Sequence, residues 1–243
     1  MGWQETELTS RWGVRLPIVQ APMAGGWTTP ALVAAVSEAG GLGSIAGAML
    51  PPEVLREQIR AVRSLTRKPF AVNLFAPQPA PSDAGLEQWA LLTGRPAPEA
   101  TARGVDPAEQ LTVVVDERVP VLSFTFGIPD LTDVHCFTAG TATTVAEARA
   151  LADAGIDAVI AQGFEAGGHR GTFLSTASGD DPPEALGTMA LVPQVVDAVR
   201  IPVIASGGVM DGRGIAAARA LGAAAVQLGT AFLRTDEAAT GPE

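Results

Sequence analysis

Apolar residues in this chain gather in short continuous runs instead of alternating with polar ones. The runs at 18–21, 43–46, 70–74, 121–126, 134–137, 158–161, 203–205 and 225–228 predict eight strands. A strand apolar on both sides is buried on both faces, the condition of a parallel sheet covered by helices. Stretches with helical features lie between them. Residues 52–65 set Val54, Leu55, Ile59 and Val62 along one stripe. Thr29-Pro30 offers an N-cap and a first-turn proline for a helix over 31–39, with Gly40 as its stop. Thr144 and Glu147 have capping-box spacing ahead of a helix over 148–154, closed by Gly155. Asp211 can cap a helix over 214–221 that ends at Gly222. Eight such units with right-handed crossovers close most simply into a barrel, so the expected class is an α/β, (β/α)8 TIM barrel.

Two stretches break the rhythm. Residues 76–115 are rich in proline, alanine and glycine and too long for an ordinary connection, which predicts a lid-like excursion. Only about a dozen residues separate the fourth strand from the GTATT segment at 140–144, near the least a parallel crossover normally uses. The fourth helix is therefore expected to be eroded.

The composition fits one domain of 243 residues, with 47% hydrophobic and 17% charged residues, too apolar for disorder. A net charge of −10 without a basic run argues against a nucleic-acid partner. With Cys136 alone, no intramolecular disulfide and no CxxC metal site can form, and its apolar setting points to a buried thiol. No signal sequence and no run of roughly 18 apolar residues is present, so a cytoplasmic protein without a membrane span is expected. No metal is expected, and nothing in the sequence speaks to oligomeric state.

Four segments at predicted strand ends have chemical potential. Pro22 and Met23, with Gly25-Gly26, turn the chain after the first strand with little bulk, as suits either a tight turn or a flat ligand. Asn73 is the one polar side chain in its strand; buried without a partner it would cost ~1–3 kcal/mol, so a loop backbone or, preferably, a ligand should meet it. Gln162 ends the sixth strand and precedes a loop in which Gly167 and Gly168 can present successive amides, followed by His169, a base or proton donor near neutral pH. His135 lies in the eroded segment and has no such setting. Finally, Gly207-Gly208 and the run Gln227, Leu228, Gly229 and Thr230 follow the seventh and eighth strands, the usual phosphate site of these barrels.

The stretches APMAGG, VSEAGGLG, PFAVNLF, VPVLSFTFGIP, GTATTVAEARALADAG, EAGGHRGTF and VIASGGVMDGRGIAAARALGAAAVQLGTAFL together resemble the class I nitronate monooxygenases, once called 2-nitropropane dioxygenases. EAGGHRGTF is the most specific of them. The resemblance implies one FMN-binding domain over 1–243. Pro22, Met23, Asn73, Gln162 and Gly167 would contact the flavin, Gly208 with Gln227, Leu228, Gly229 and Thr230 would hold its phosphate, and His169 would be the catalytic histidine. The implied reaction oxidises an alkyl nitronate, such as propionate 3-nitronate, with O2 to a carbonyl compound and nitrite. A related FMN-dependent NAD(P)H reductase, of enoyl-thioester or quinone type, shares the two ends of this pattern. Compared with the family the chain is C-terminally short, ending in a polar TDEAATGPE tail, so cover over strands eight and one is expected to be missing. A truncated paralogue without turnover is the third alternative.

Overall fold

The computed structural model describes residues 2–78, 83–95, 105–174 and 185–240. Its strands are β1 (Ile18–Gln20), β2 (Gly43–Ala46), β3 (Phe70–Phe75), β4 (Val121–Thr125), β5 (Phe137–Ala142), β6 (Ala158–Gln162), β7 (Val203–Ser206) and β8 (Ala225–Leu228). Its helices are α1 (Glu7–Trp12), α2 (Pro30–Glu38), α3 (Pro52–Leu65), α4 (Asp83–Thr93), α5 (Pro107–Asp116), α6 (Val145–Asp153), α7 (Thr188–Ala198) and α8 (Gly212–Ala220). All neighbouring strands run parallel in the order β1-β8-β7-β6-β5-β4-β3-β2.

A single bridge, Val19 to Leu42, closes this sheet into the expected barrel. The seam is short, and a side chain extends it. Gln20 is fully buried; its Oε1 accepts from Ser44 N at 3.0 Å and its Nε2 donates to Ser44 O at 3.3 Å. An amide side chain thus does the work of a ladder rung where the backbone pairing stops.

Side chains alternate across each strand. Val72, Leu74, Leu122, Phe124, Val159, Val226 and Leu228 belong to the layer between sheet and helices. Ala71, Val121, Ala139, Ala158, Ile160, Ile204 and Ala225 fill the lumen, with Leu8 and Trp12 of α1 packed among them. Trp12 stacks edge-on against Phe137 at the start of β5, and Arg11 pairs with Asp157 just before β6, so α1 plugs the N-terminal end. Helix α1 has no apolar stripe long enough to be legible in advance; its Thr6 capping box sets it.

The helix signals at α2, α3, α6 and α8 hold to within a few residues, and Gly40, Gly155 and Gly222 all end helices with positive φ. Two expectations change and one holds. The fifth strand lies at Phe137–Ala142 and not at 134–137, because its buried threonines and glycine disguise it. Gly140 is required there: a Cβ would meet Leu151 Cδ2 of α6 at 2.3 Å. No helix occupies 126–136, as the short spacing implied; Leu131 and Val134 pack over the core in its place. The 76–115 excursion ends in α5, which packs as a barrel helix and not as a lid. Its buried Gln110 donates to Gly47 O and Leu50 O, both at 2.8 Å, and Val113 and Val114 enter the core. Parts of that stretch, 79–82 and 96–104, lie outside the described residues.

Beyond β8 the chain packs back against α2. After a 3-10 helix (Thr230–Arg234), Ala238 is buried against Leu32 and Val36 of α2, with Met23 and Phe232 alongside. Ala239 N donates to Trp27 O at 3.2 Å, and the Thr29 hydroxyl donates to Glu237 O at 2.6 Å.

Candidate active site

The inward positions near the C-terminal end of the barrel change character. Below, they are alanine, valine and isoleucine; above, they are Asn73, Phe75, Thr125, Thr141, Gln162, Ser206 and Gln227, which line a cavity of about 670 Å³. Strand register pairs them. Asn73 sits opposite Ser123, and its Nδ2 donates to Ser123 Oγ at 3.0 Å. Gln227 sits opposite Ser206, and its Nε2 donates to Ser206 Oγ at 3.3 Å. The partner for Asn73 is thus the hydroxyl of the adjacent strand, a third possibility beside loop and ligand.

Of the residues singled out in sequence, Pro22, Met23, Asn73, Gln162, Gly167, His169, Gly208, Gln227, Gly229 and Thr230 all line this one cavity. Leu228 does not. One residue on from inward-facing Gln227, it falls on the opposite face and packs in the helix layer; only its main chain is near, its carbonyl accepting from Ala21 N at 2.8 Å.

His169 is exposed at the mouth, with its ring edge-on to two aromatics: Phe75 at 5.8 Å and Phe126 at 5.9 Å between centroids. Phe75 and Phe126 meet at 4.9 Å. Phe126 has φ of 71°, a left-handed conformation that costs ~1–3 kcal/mol in a bulky residue and persists only where the surroundings fix it. Here the aromatic contacts do so, together with Gln78 Nε2, which donates to Phe126 O at 2.6 Å. His135 is an exposed loop residue away from the cavity. Burial pushes the half-buried Cys136 thiol up, as suits an unreactive sulfur.

The loop carrying His169 is held from several sides. Gln162 uses both ends of its amide, donating from Nε2 to His169 O at 2.9 Å and accepting from Gly171 N at 2.7 Å. Glu165 accepts from Thr188 N at 2.8 Å and from the Thr188 hydroxyl at 3.0 Å, at the start of α7. Burial pushes the Glu165 carboxyl up, but hydrogen bonds from its own amide and from the amide and hydroxyl of Thr188 outweigh this and hold it below the usual carboxylate range. Across the cavity, Gly207 and Gly208 both have positive φ, 115° and 69°. A Cβ on Gly207 would meet Thr188 Oγ1 at 2.9 Å and Ala166 N at 3.1 Å, so backbones approach there as only glycine permits.

Phe75, Phe126, Thr125, Thr141 and Glu165 escaped the sequence analysis. For Phe75, Thr125 and Thr141 the signal was available: counting by two from Asn73 and along β4 and β5 puts each on the inner face. Phe126 and Glu165 carried none, since loop geometry alone places them.

Comparison with known proteins identifies the family. The sequence profile described as nitronate monooxygenase matches residues 8–242. A protein of Staphylococcus haemolyticus named "Probable nitronate monooxygenase" is 45% identical over 97% of this chain and 69% of its own length. This chain belongs to the nitronate monooxygenase family. It is an enzyme of that flavin-dependent oxidoreductase type, and it spans about two thirds of the length of such relatives. A similar protein of Staphylococcus saprophyticus is 46% identical over 96% of the chain and 69% of its own length. Among solved structures, nitroalkane oxidase from Streptomyces ansochromogenes superposes with a TM-score of 0.84 at 45% identity, covering 96% of this chain and 70% of that one. FabK from Thermotoga maritima, as its M276A mutant, gives 0.78 at 36% identity, covering 98% and 69%. No helix among the described residues is long and apolar enough to cross a membrane.

Proposed function

We propose that this enzyme oxidises alkyl nitronates, propionate 3-nitronate among them, with O2 to a carbonyl compound and nitrite, using FMN. The observation that carries the reading is His169 at a cavity whose described lining contains no lysine or arginine. A nitronate is an anion, and His169 is the one side chain of that lining able to offer it a full positive charge.

The cavity fits FMN. Its volume is within the ~300–1,000 Å³ of cofactor pockets. Its glycine side, at Gly208, Gly229 and Thr230, follows β7 and β8, where barrels bind phosphate through backbone amides and hydroxyls. Gly229 lies beside Ala21 and Met23, at 3.6 Å from Ala21 Cβ and 3.9 Å from Met23 Sδ for an added Cβ, so a side chain would fit there in ordinary contact. Pro22, Met23, Asn73, Gln162 and Gly167 would contact the ring system. Gly208, Gln227, Gly229 and Thr230 would hold the phosphate end, with Leu228 contributing main chain only. Bound FMN supplies the two-electron redox centre between nitronate and O2.

The chain's own part is to bind and orient. Phe75 and Phe126 fix the His169 imidazole and present an apolar wall to the alkyl group. Protonated, the imidazole donates to a nitronate oxygen; neutral, it accepts the α-proton of a nitroalkane. The purified protein is expected to be yellow and to consume O2 with nitronate. Turnover of nitronates without turnover of neutral nitroalkanes supports the cationic role, and turnover of nitroalkanes supports the base. Bound flavin without nitronate turnover refutes the reading.

The likeness to FabK favours a second reading, an FMN-dependent NAD(P)H reductase of enoyl-thioester or quinone type. Anaerobic bleaching of the flavin by NADH or NADPH distinguishes it.

A further inference from the structure

Glu147 is a fully buried carboxylate with no part in the chemistry proposed above. It stands in the first turn of α6, where its spacing from Thr144 suggests a capping box. Only half of that box exists. Thr144 Oγ1 accepts from Glu147 N at 3.2 Å, but the Glu147 side chain does not return to the Thr144 amide. It turns outward from the helix start and collects four hydrogen bonds. Oε2 accepts from Thr143 N at 2.7 Å and from the Thr143 hydroxyl at 2.8 Å. Oε1 accepts from Phe173 N at 2.6 Å and Leu174 N at 3.0 Å. The Thr143 hydroxyl, its proton given to Glu147, accepts from the Thr172 hydroxyl at 2.9 Å.

Residues 172, 173 and 174 are therefore each tied to the β5–α6 turn, and residues 169 and 171 to Gln162. We propose that Glu147 is a positioning residue for His169: it fixes the C-terminal leg of the His169 loop to α6, so that the imidazole stays between Phe75 and Phe126. Desolvating a carboxylate is costly, and a purely apolar contact would bury this turn without that cost. The carboxylate has a geometric use. It presents four acceptor sites to four donors on two chain segments, which no amide or hydroxyl of similar size can do.

The role of His169 in turnover rests on the function proposed above, but its placement by Glu147 can be measured independently. The chain has two histidines, His169 and His135. In the flavin-loaded full chain, the imidazole Cε1 proton resonances are assigned by H169N and H135N. The His169 resonance is expected to be displaced by the rings of Phe75 and Phe126. Glu147→Gln keeps size but turns an amide NH2 group toward N–H donors, so it breaks one side of the bracket. It should return the His169 resonance toward that of a free histidine and leave His135 unmoved. Where nitronate turnover is measurable, kcat should fall about tenfold to a hundredfold, the scale of a 1 Å misplacement, with cooperative melting and flavin content retained. Glu147→Asp, still an acceptor-only carboxylate, should recover part of both effects. Should Glu147→Gln fail to fold, Thr143→Val removes one donor and the link to Thr172, and should displace the resonance in the same direction by less. A His169 resonance unmoved in a folded Glu147→Gln chain, or in Thr143→Val, overturns the proposal. A displaced resonance in a wild-type enzyme that never turns over nitronate leaves the bracket standing and removes the function.

Discussion

The two sides of the cavity are built by different means. On the β6 side, side chains shape a loop. Gln162 and Glu147 bond its backbone, Glu165 ties it to Thr188 of α7, and two phenylalanines fix the imidazole it presents. On the β7–β8 side, backbone shapes the wall directly. Gly207 and Gly208 take left-handed conformations, and no charged side chain but Glu165 reaches that wall. The difference suits two tasks. A phosphate is met by amides and a hydroxyl, which need only an unobstructed main chain. A reacting carbon or nitronate oxygen needs a proton-transferring group held at a fixed angle, and a fixed angle needs a network.

If the sides divide the work this way, damage to each should be separable. The largest effect is expected on the β6 side. His169→Asn keeps a polar side chain of similar reach but removes the imidazole, so nitronate turnover should fall ~10²–10⁴-fold. Flavin absorbance and stoichiometry should not change. Loss of flavin together with turnover would show that the loop also builds the cofactor site, and the comparison would fail. Next in size is Gly207→Ala. At φ 115° an alanine is strained, and its Cβ would press on Thr188 Oγ1, Ala166 N and Gly163 O at 2.9–3.2 Å. The cost is ~1–3 kcal/mol. If it falls on the cofactor-bound state, FMN should bind roughly tenfold or more weakly, since 1.4 kcal/mol is a factor of ten. Equilibrium dialysis measures this. Turnover per bound flavin should stay near wild type.

The same contrast explains what could be seen in the sequence. Barrel, strand ends and glycine pairs were legible because each rests on local chemistry: apolar runs, caps, and glycine where a side chain cannot fit. All the cavity residues chosen for their strand-end position are found together, except Leu228, which a count by two from Gln227 would have turned outward. β5 was displaced because Thr138 and Thr141 are buried polar residues satisfied across strands, Thr138 by Asp157 and Thr141 by Thr125. Long-range pairing of that kind leaves no periodic mark. The bracket was illegible for the same reason. Glu147 looked like a local cap, and its partners at Phe173 and Leu174 are 26 and 27 residues away.

Glu165 belongs to both sides, and so gives the smallest but sharpest test. Its Cβ is the neighbour a side chain on Gly208 would meet at 3.1 Å, while its carboxylate holds Thr188, whose one hydroxyl proton is shared between Glu165 Oε2 at 3.0 Å and Gly207 O at 2.9 Å. Glu165→Gln replaces one acceptor with a donor facing the Thr188 amide. Because the residue is exposed, solvent relieves most of the mismatch, and the expected cost is about 1 kcal/mol or less. For a chain of this size that is about 2–4 °C in Tm. The folded carboxyl sits below its ordinary value of 4.5, so its stabilising contribution is full above that pH and is lost as pH falls through the lowered value. The Tm gap between wild type and Glu165→Gln should therefore be constant near neutrality and close in acid. At neutral pH the decisive quantity is the ratio of two losses. If turnover per flavin drops while FMN affinity holds, Thr188 is a hinge that isolates the glycine wall from the loop. If both fall in proportion, the two sides are one mechanical unit, and the division of labour lies in their ligands and not in their architecture.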